Sequence, residues 1–145
     1  MKTAIVYYSK HHGNTKKLVD AIVAAHPDVD TFNAMEDIPD LSGYDCIGLA
    51  SGIYAEHPAK QVRNYAKEKL PNGKKVFLLV TAAMPNDNYF KDLSNTAAEK
   101  SCELVGKYQC KGFNTFGPFI LIGGTAKGHP TQEELDEVVR FYEGI

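Results

Sequence analysis

A chain of 145 residues is long enough to bury a core of its own, so neither disulfides nor a structural metal is needed, and one domain is expected across 1–145. Sixteen Lys plus Arg against eighteen Asp plus Glu leave a formal charge of −2. That balance supplies neither the broad basic field of a nucleic-acid binder nor a strongly acidic surface, so charge alone names no partner.

Met1 and Lys2 run directly into the strand-like TAIVYYS, with no separate apolar leader, and no apolar run is long enough to cross a bilayer. Residues 3–8 form a continuous β-rich apolar run, as expected of a strand covered on both faces. It breaks into the polar SKHHGNT, after which Leu18, Ala21, Ile22 and Ala25 fall at helical spacing. Beyond Pro27 and Asp28, VDTFN reads as a second strand and MEDIPDLSGYD as a turn-rich connection. CIGLAS is a third strand and SGIYAEH the loop after it. Pro58 is placed to start a helix whose inner face is Val62, Tyr65, Ala66 and Leu70.

PNGKK turns the chain into VFLLVT, a second plainly buried strand, followed by the long loop AAMPNDNYFKD. Ala97, Leu104, Val105 and Tyr108 mark a helix from about Ser94 to Lys107, and CKGFNTF a fifth strand. GPFILIGGTAKGHP reads equally as a loop or a short added strand. TQEELDEVVRFYEGI is a closing helix, with Thr131 and Glu134 in capping-box spacing and Leu135, Val138, Val139 and Tyr142 on one face. Strands alternating with helices across short connections require a parallel sheet with right-handed crossovers, hence an α/β three-layer sandwich. In such a sheet ligands bind beyond the carboxyl ends of the strands, which directs attention to the loops after strands one, three and four.

Cys46, Cys102 and Cys110 are odd in number, form no C-x-x-C and sit in apolar or helical patterns, so they read as buried thiols in a reducing compartment. A cytoplasmic protein is expected. No Ser/His/Asp order, H-E-x-x-H, EF-hand or deaminase pattern is present.

Ser9, Lys10, His11, His12, Gly13, Asn14 and Thr15 link the first strand to the first helix. Free backbone N–H groups and the helix dipole make such a start an anion site, and Gly13 allows close backbone approach. Equally, Asn14 could cap the helix and Gly13 ease the turn. Neither G-x-x-x-x-G-K-[ST] nor G-x-G-x-x-G is present, so a P-loop and a dinucleotide fingerprint are both excluded. The adjacent histidines lack a nearby carboxylate or cysteine to share a metal, so a metal is not expected.

YYSKHHGNT resembles the phosphate-binding loop of the flavodoxin family, with Gly13, Asn14 and Thr15 matching in place. His12 stands where the family commonly has Thr, and Ser9 lies one residue farther back than the usual Ser. The resemblance covers nearly the whole chain and implies a five-stranded parallel sheet of order 2-1-3-4-5 holding one FMN without a covalent bond. By the same resemblance, Ser51, Gly52, Ile53 and Tyr54 wrap the isoalloxazine ring. Gly52 allows close approach, and its carbonyl turns toward flavin N5 on reduction. Tyr54 either covers the ring or simply covers the sheet edge. Thr81, Ala82, Ala83 and Met84 approach the pyrimidine edge. Tyr89 or Met84 covers the outer ring face, unless the aromatic packs on the following helix instead.

Three functions follow, in this order: a one-electron carrier between redox proteins, an FMN-dependent reductase of a small acceptor such as a quinone, and a flavodoxin-fold module without redox chemistry. A receiver domain of the same topology is excluded, because the paired acids after strand one are absent. No nucleic-acid or membrane partner is expected, and oligomeric state is not legible. The segment from Gly117 to Pro130 carries no assigned role, although Gly123, Gly124 and Gly128 suggest a conformationally demanding loop near the exposed flavin edge.

Overall fold

The computed structural model describes residues 1–10, 13–112 and 128–145. The expectations placed on His11, His12 and the stretch 113–127, including Gly123 and Gly124, lie outside the described residues.

Apolar runs of six to nine residues build the sheet: β1 (Thr3–Tyr8), β3 (Cys46–Tyr54) and β5 (Lys75–Ala82) are almost wholly buried. β2 (Asp30–Asn33) and β6 (Glu103–Lys111) form the two edges. All five are parallel in the order β2-β1-β3-β5-β6, the expected 2-1-3-4-5 arrangement. A sixth, two-residue strand, β4 (His57–Pro58), folds back antiparallel on the end of β3.

Side chains alternate between two cores. On one side Val6, Leu49, Leu78 and Val80 pack beneath α2 (Lys60–Lys69) and α3 (Lys91–Glu99), through Val62, Ala66, Leu93 and Ala97. On the other, Ile5, Ala50, Phe77 and Leu79 pack beneath α1 (Asn14–Ala25) and α4 (Gln132–Glu143), through Leu18, Ile22 and Val138. Gly48 lies opposite Phe77 in register, and a Cβ there would fall 2.3 Å from the Phe77 ring. The missing side chain is therefore what lets that ring lie across β3.

Three expectations are corrected. Leu104, Val105 and Tyr108 lie on β6, not on a helix from Ser94 to Lys107: α3 stops at Glu99, and Ser101 enters the left-handed region at φ 56 to turn the chain into the strand. A register shift opposite Val76/Phe77 leaves Val105 unpaired, which is the one-residue bulge that makes the pattern look helical. Pro58 does not open α2; it pairs with Ile53 on β4, and the helix starts at Lys60 with Ala59 as N-cap. Ser51 to Tyr54 are the last residues of β3 rather than a loop, because Ser51 and Gly52 pair with Val80 and Thr81 of β5 and β4 extends the pairing through Ile53 and Tyr54.

α4 begins as expected, Thr131 Oγ1 accepting from Glu134 N–H while the Glu134 carboxylate accepts from Thr131 N–H. No helix among the described residues is long and apolar enough to cross a membrane.

Candidate functional site

The carboxyl ends of β1, β3 and β5 open into a cavity of about 430 Å³. Parallel strands bring these ends to one edge, and each contributes the start of the segment that follows it. Of the residues singled out from the sequence, Lys10, Asn14, Thr15, Gly52, Ile53, Tyr54, Thr81, Ala82 and Ala83 line it. Ser9, Gly13, Ser51 and Met84 do not, and Met84 is 72% exposed at the tip of the third loop.

The first loop is organised around the start of α1. Gly13 is the N-cap, in the left-handed region at φ 64, where a residue without Cβ is unstrained. Asn14 is thus the first helical residue and does not cap; its amide packs against the backbone of Gly112, where a Cβ would come within 2.7 Å of Nδ2. The capping role falls to Ser9, whose hydroxyl accepts from Lys16 N–H at 3.2 Å. Thr15 is buried, and its hydroxyl lies 2.9 Å from that of Thr81.

The second loop is a hairpin. Tyr54 pairs with His57, leaving Ala55 and Glu56 as a two-residue turn with φ 50 and φ 72, both left-handed without a glycine. The buried Ser51 hydroxyl anchors its base, accepting from Ala59 N–H at 2.8 Å and donating to the Gly52 carbonyl at 2.6 Å. Gly52 sits inside β3 opposite Thr81 with that carbonyl already engaged, so the turn of the carbonyl that the resemblance implied would have to break the Ser51 bond. The outer end of the hairpin is held by His57 Nδ1, 2.7 Å from an Asp92 carboxylate oxygen on α3.

Tyr54 folds inward over Gly52, where a Cβ would stand 3.3 Å from the phenol oxygen. Its ring meets the edge of Tyr8 at a centroid distance of 5.8 Å and an interplanar angle of 75°. Burial pushes the Tyr54 phenol up to about 12, with the Lys10 backbone N–H as a partner to its oxygen, so it is a neutral donor at physiological pH. Tyr89 is half-buried against the α2/α3 core and does not line the cavity.

The sequence reading missed Tyr8, Ala55, Pro58, Ala59, Lys60, Gln61, Arg63 and Gly112 as lining residues. A signal existed for two of them: Lys60 and Arg63 are cations in the first turn of a helix that carries no acid there. Burial pushes the Cys46 thiol up to about 11 and the Cys110 thiol up to about 12, so neither is a nucleophile at neutral pH. Among the described residues no group of His, Cys, Asp and Glu is arranged to hold a metal.

A parallel sheet in this order, with its cavity at the carboxyl ends of β1, β3 and β5, defines a flavodoxin-like protein. A family model described as a flavodoxin domain matches residues 4–114, and the chain belongs to that family. An uncharacterized protein of Methanocaldococcus jannaschii is 34% identical over 148 residues, covering 100% of this chain and 98% of its own. Among solved structures, a flavodoxin from the domain Archaea superposes with a TM-score of 0.68 at 19% identity, over 95% of this chain and 92% of that one. A Fusobacterium nucleatum flavodoxin mutant bound to flavin mononucleotide does so with a TM-score of 0.66 at 18% identity, over 99% and 94% of the two chains. At such identities these structures speak for the fold.

Proposed function

We propose that this chain holds one FMN, without a covalent bond, in the cavity at the strand ends and carries electrons between redox proteins in the cytoplasm. The observation that supports this most is the convergence of three segments on one cavity, with Thr15 from the first, Gly52 from the second and Thr81 from the third in mutual register or contact. The residues present fit the group. The start of α1, with Lys10, Asn14 and Thr15 in the lining, suits a phosphate dianion. Gly52 at the end of β3 and the rings of Tyr8 and Tyr54 suit a flat apolar ring. In this reading Ser9, His11, His12 and Gly13 complete the phosphate loop, Ser51 sets the hairpin, and Ala82, Ala83 and Met84 border the ring. FMN would supply the electron chemistry, while the protein binds it, shields it from water and sets its potential.

One observation favours the second reading, an FMN-dependent reductase of a small acceptor. The cavity is also lined by Ala59, the N-cap of α2, and by Lys60, Gln61 and Arg63 on that helix, cations a small charged acceptor could use, and a net charge of −2 gives little steering toward a protein partner.

The deciding experiment is a visible spectrum of the purified protein, followed by titration with FMN and riboflavin. Flavin absorbance with FMN held far more tightly than riboflavin is the expected result; equal affinities would remove the phosphate loop from the argument. Anaerobic photoreduction then separates the readings. A carrier should accumulate the one-electron-reduced flavin, and a reductase should pass it by.

A further inference from the structure

The cavity has two ends, and its lining is charged in one sense only. Lys10, Lys60 and Arg63 line it, and no Asp or Glu does among the described residues. Lys60 and Arg63 face it from the first turn of α2, one helical turn apart. Cations at that end of a helix oppose its dipole, so an anion between them would relieve an unfavourable arrangement. Neither has a protein carboxylate to do so: the ion pairs among the described residues are Lys16–Asp20, His26–Glu143, His57–Asp92 and His129–Glu134.

Arg63 is also fixed in place. Its Nε–H donates to the Pro58 carbonyl at 2.8 Å, which commits one donor and leaves the four N–H groups on the two Nη atoms. A guanidinium anchored in this way presents a planar fork suited to a carboxylate.

We propose that Lys60 and Arg63 form a subsite for a small organic carboxylate that docks beside the bound flavin. This rests on the FMN reading and names the class of molecule that the same cavity admits. A carboxylate suits the Arg63 fork, whose two Nη groups match its two oxygens. Ala59 N–H donates to Ser51 Oγ, and the N–H groups of Val62 and Arg63 both donate to the Ala59 carbonyl. The α2 end therefore offers a guanidinium fork and a second cation beside the first two helical N–H groups, those of Lys60 and Gln61. The α1 end, with Lys10, is left to the phosphate of FMN.

The test titrates FMN-loaded protein calorimetrically with 2-naphthoate, benzoate and the neutral 2-naphthol, recording flavin absorbance in parallel. Expected are binding of a carboxylate probe at least tenfold tighter than of 2-naphthol, and weakening of that binding as salt is raised. Lys60→Ala, at an exposed position where no fold contact is lost, should weaken the carboxylate severalfold. Lys60→Ala with Arg63→Gln, which keeps a donor for Pro58, should weaken it at least tenfold while leaving 2-naphthol and the FMN-over-riboflavin preference unchanged. Equal binding of charged and neutral probes, no binding of either carboxylate, or carboxylate binding indifferent to the double change would overturn the subsite. If the double change instead erases the preference for FMN over riboflavin, the two cations serve the cofactor phosphate and the proposal is wrong. Failure of the chain to take up FMN is a separate outcome that removes the reading beneath it. The same probes added to flavin-free protein then decide the cation pair alone, with carboxylate binding lost in the double variant upholding it and none overturning it.

Discussion

The Thr15 hydroxyl, at the start of α1, lies 2.9 Å from the Thr81 hydroxyl at the end of β5, and both side chains are buried. Each is the other's partner, so the contact welds the first loop to the third across the floor of the cavity.

Thr15→Val should leave the Thr81 hydroxyl buried without that partner and lower stability by about 1–3 kcal/mol. Thr15→Val with Thr81→Val removes both polar groups and should recover part of the loss. Urea unfolding of the two single variants and the double variant closes the cycle. Strict additivity would mean that the two hydroxyls do not interact.

Ser51→Ala strips a hydrogen bond from Ala59 N–H and one from the Gly52 carbonyl, in a position with no exposure. The expected loss is again about 1–3 kcal/mol, with weaker FMN binding because the hairpin loses the anchor at its base. An unchanged urea midpoint together with unchanged FMN affinity would show that the hairpin is held elsewhere.

Gly48→Ala places a methyl group 2.3 Å from the Phe77 ring in the middle of the sheet. Overpacking of this kind costs about 1–3 kcal/mol, read as a lower midpoint in thermal or urea unfolding. Phe77→Leu added to Gly48→Ala should cost less than the sum of the two separate changes. A neutral Gly48→Ala would mean that the ring moves aside freely.

The thiols give a pH test. Burial raises Cys46 to about 11 and Cys110 to about 12, so folding favours their protonated form. The stability they contribute is fully present below the ordinary thiol value near 8.5 and is lost as pH rises from there through those raised values. Unfolding midpoints should therefore fall between about pH 9 and 11, and less so in Cys46→Ala. At pH 8 a thiol reagent should reach the half-buried Cys102 first, with Cys46 and Cys110 reacting only on unfolding.

How much could be read in advance depended on burial. The strands at 3–8 and 75–82 announce themselves because both faces are covered and the apolar run is unbroken. The closing helix is legible from Thr131 and Glu134, a cap whose chemistry is local. β6 is not, because an edge strand is half-exposed and its bulge at Val105 puts Leu104, Val105 and Tyr108 at helix-like intervals. The turns were hidden for a different reason. Ala55, Glu56 and Ser101 take left-handed backbone without being Gly, Asn or Asp, so tertiary pairing imposes a conformation that the residues do not advertise. The α1 end of the site was legible from Gly13, Asn14 and Thr15 as a motif. The α2 end left only one trace, two cations in an acid-free first turn, because Lys60 and Arg63 belong to the cavity only once β4 folds back and sets the helix start beside it.

The position of Phe77 has a consequence for how the chain is made. Its ring is covered on the α1 side by Phe141 and Tyr142, at centroid distances of 6.3 and 5.8 Å, and Leu135, Val138 and Ile145 close the same face. These residues follow all five parallel strands in the chain. While a nascent chain still lacks them, the part of this face around Phe77 that α1 leaves uncovered stays wet and sticky although all five parallel strands are already present, so α4 sets the moment at which that patch stops inviting chaperones or aggregation.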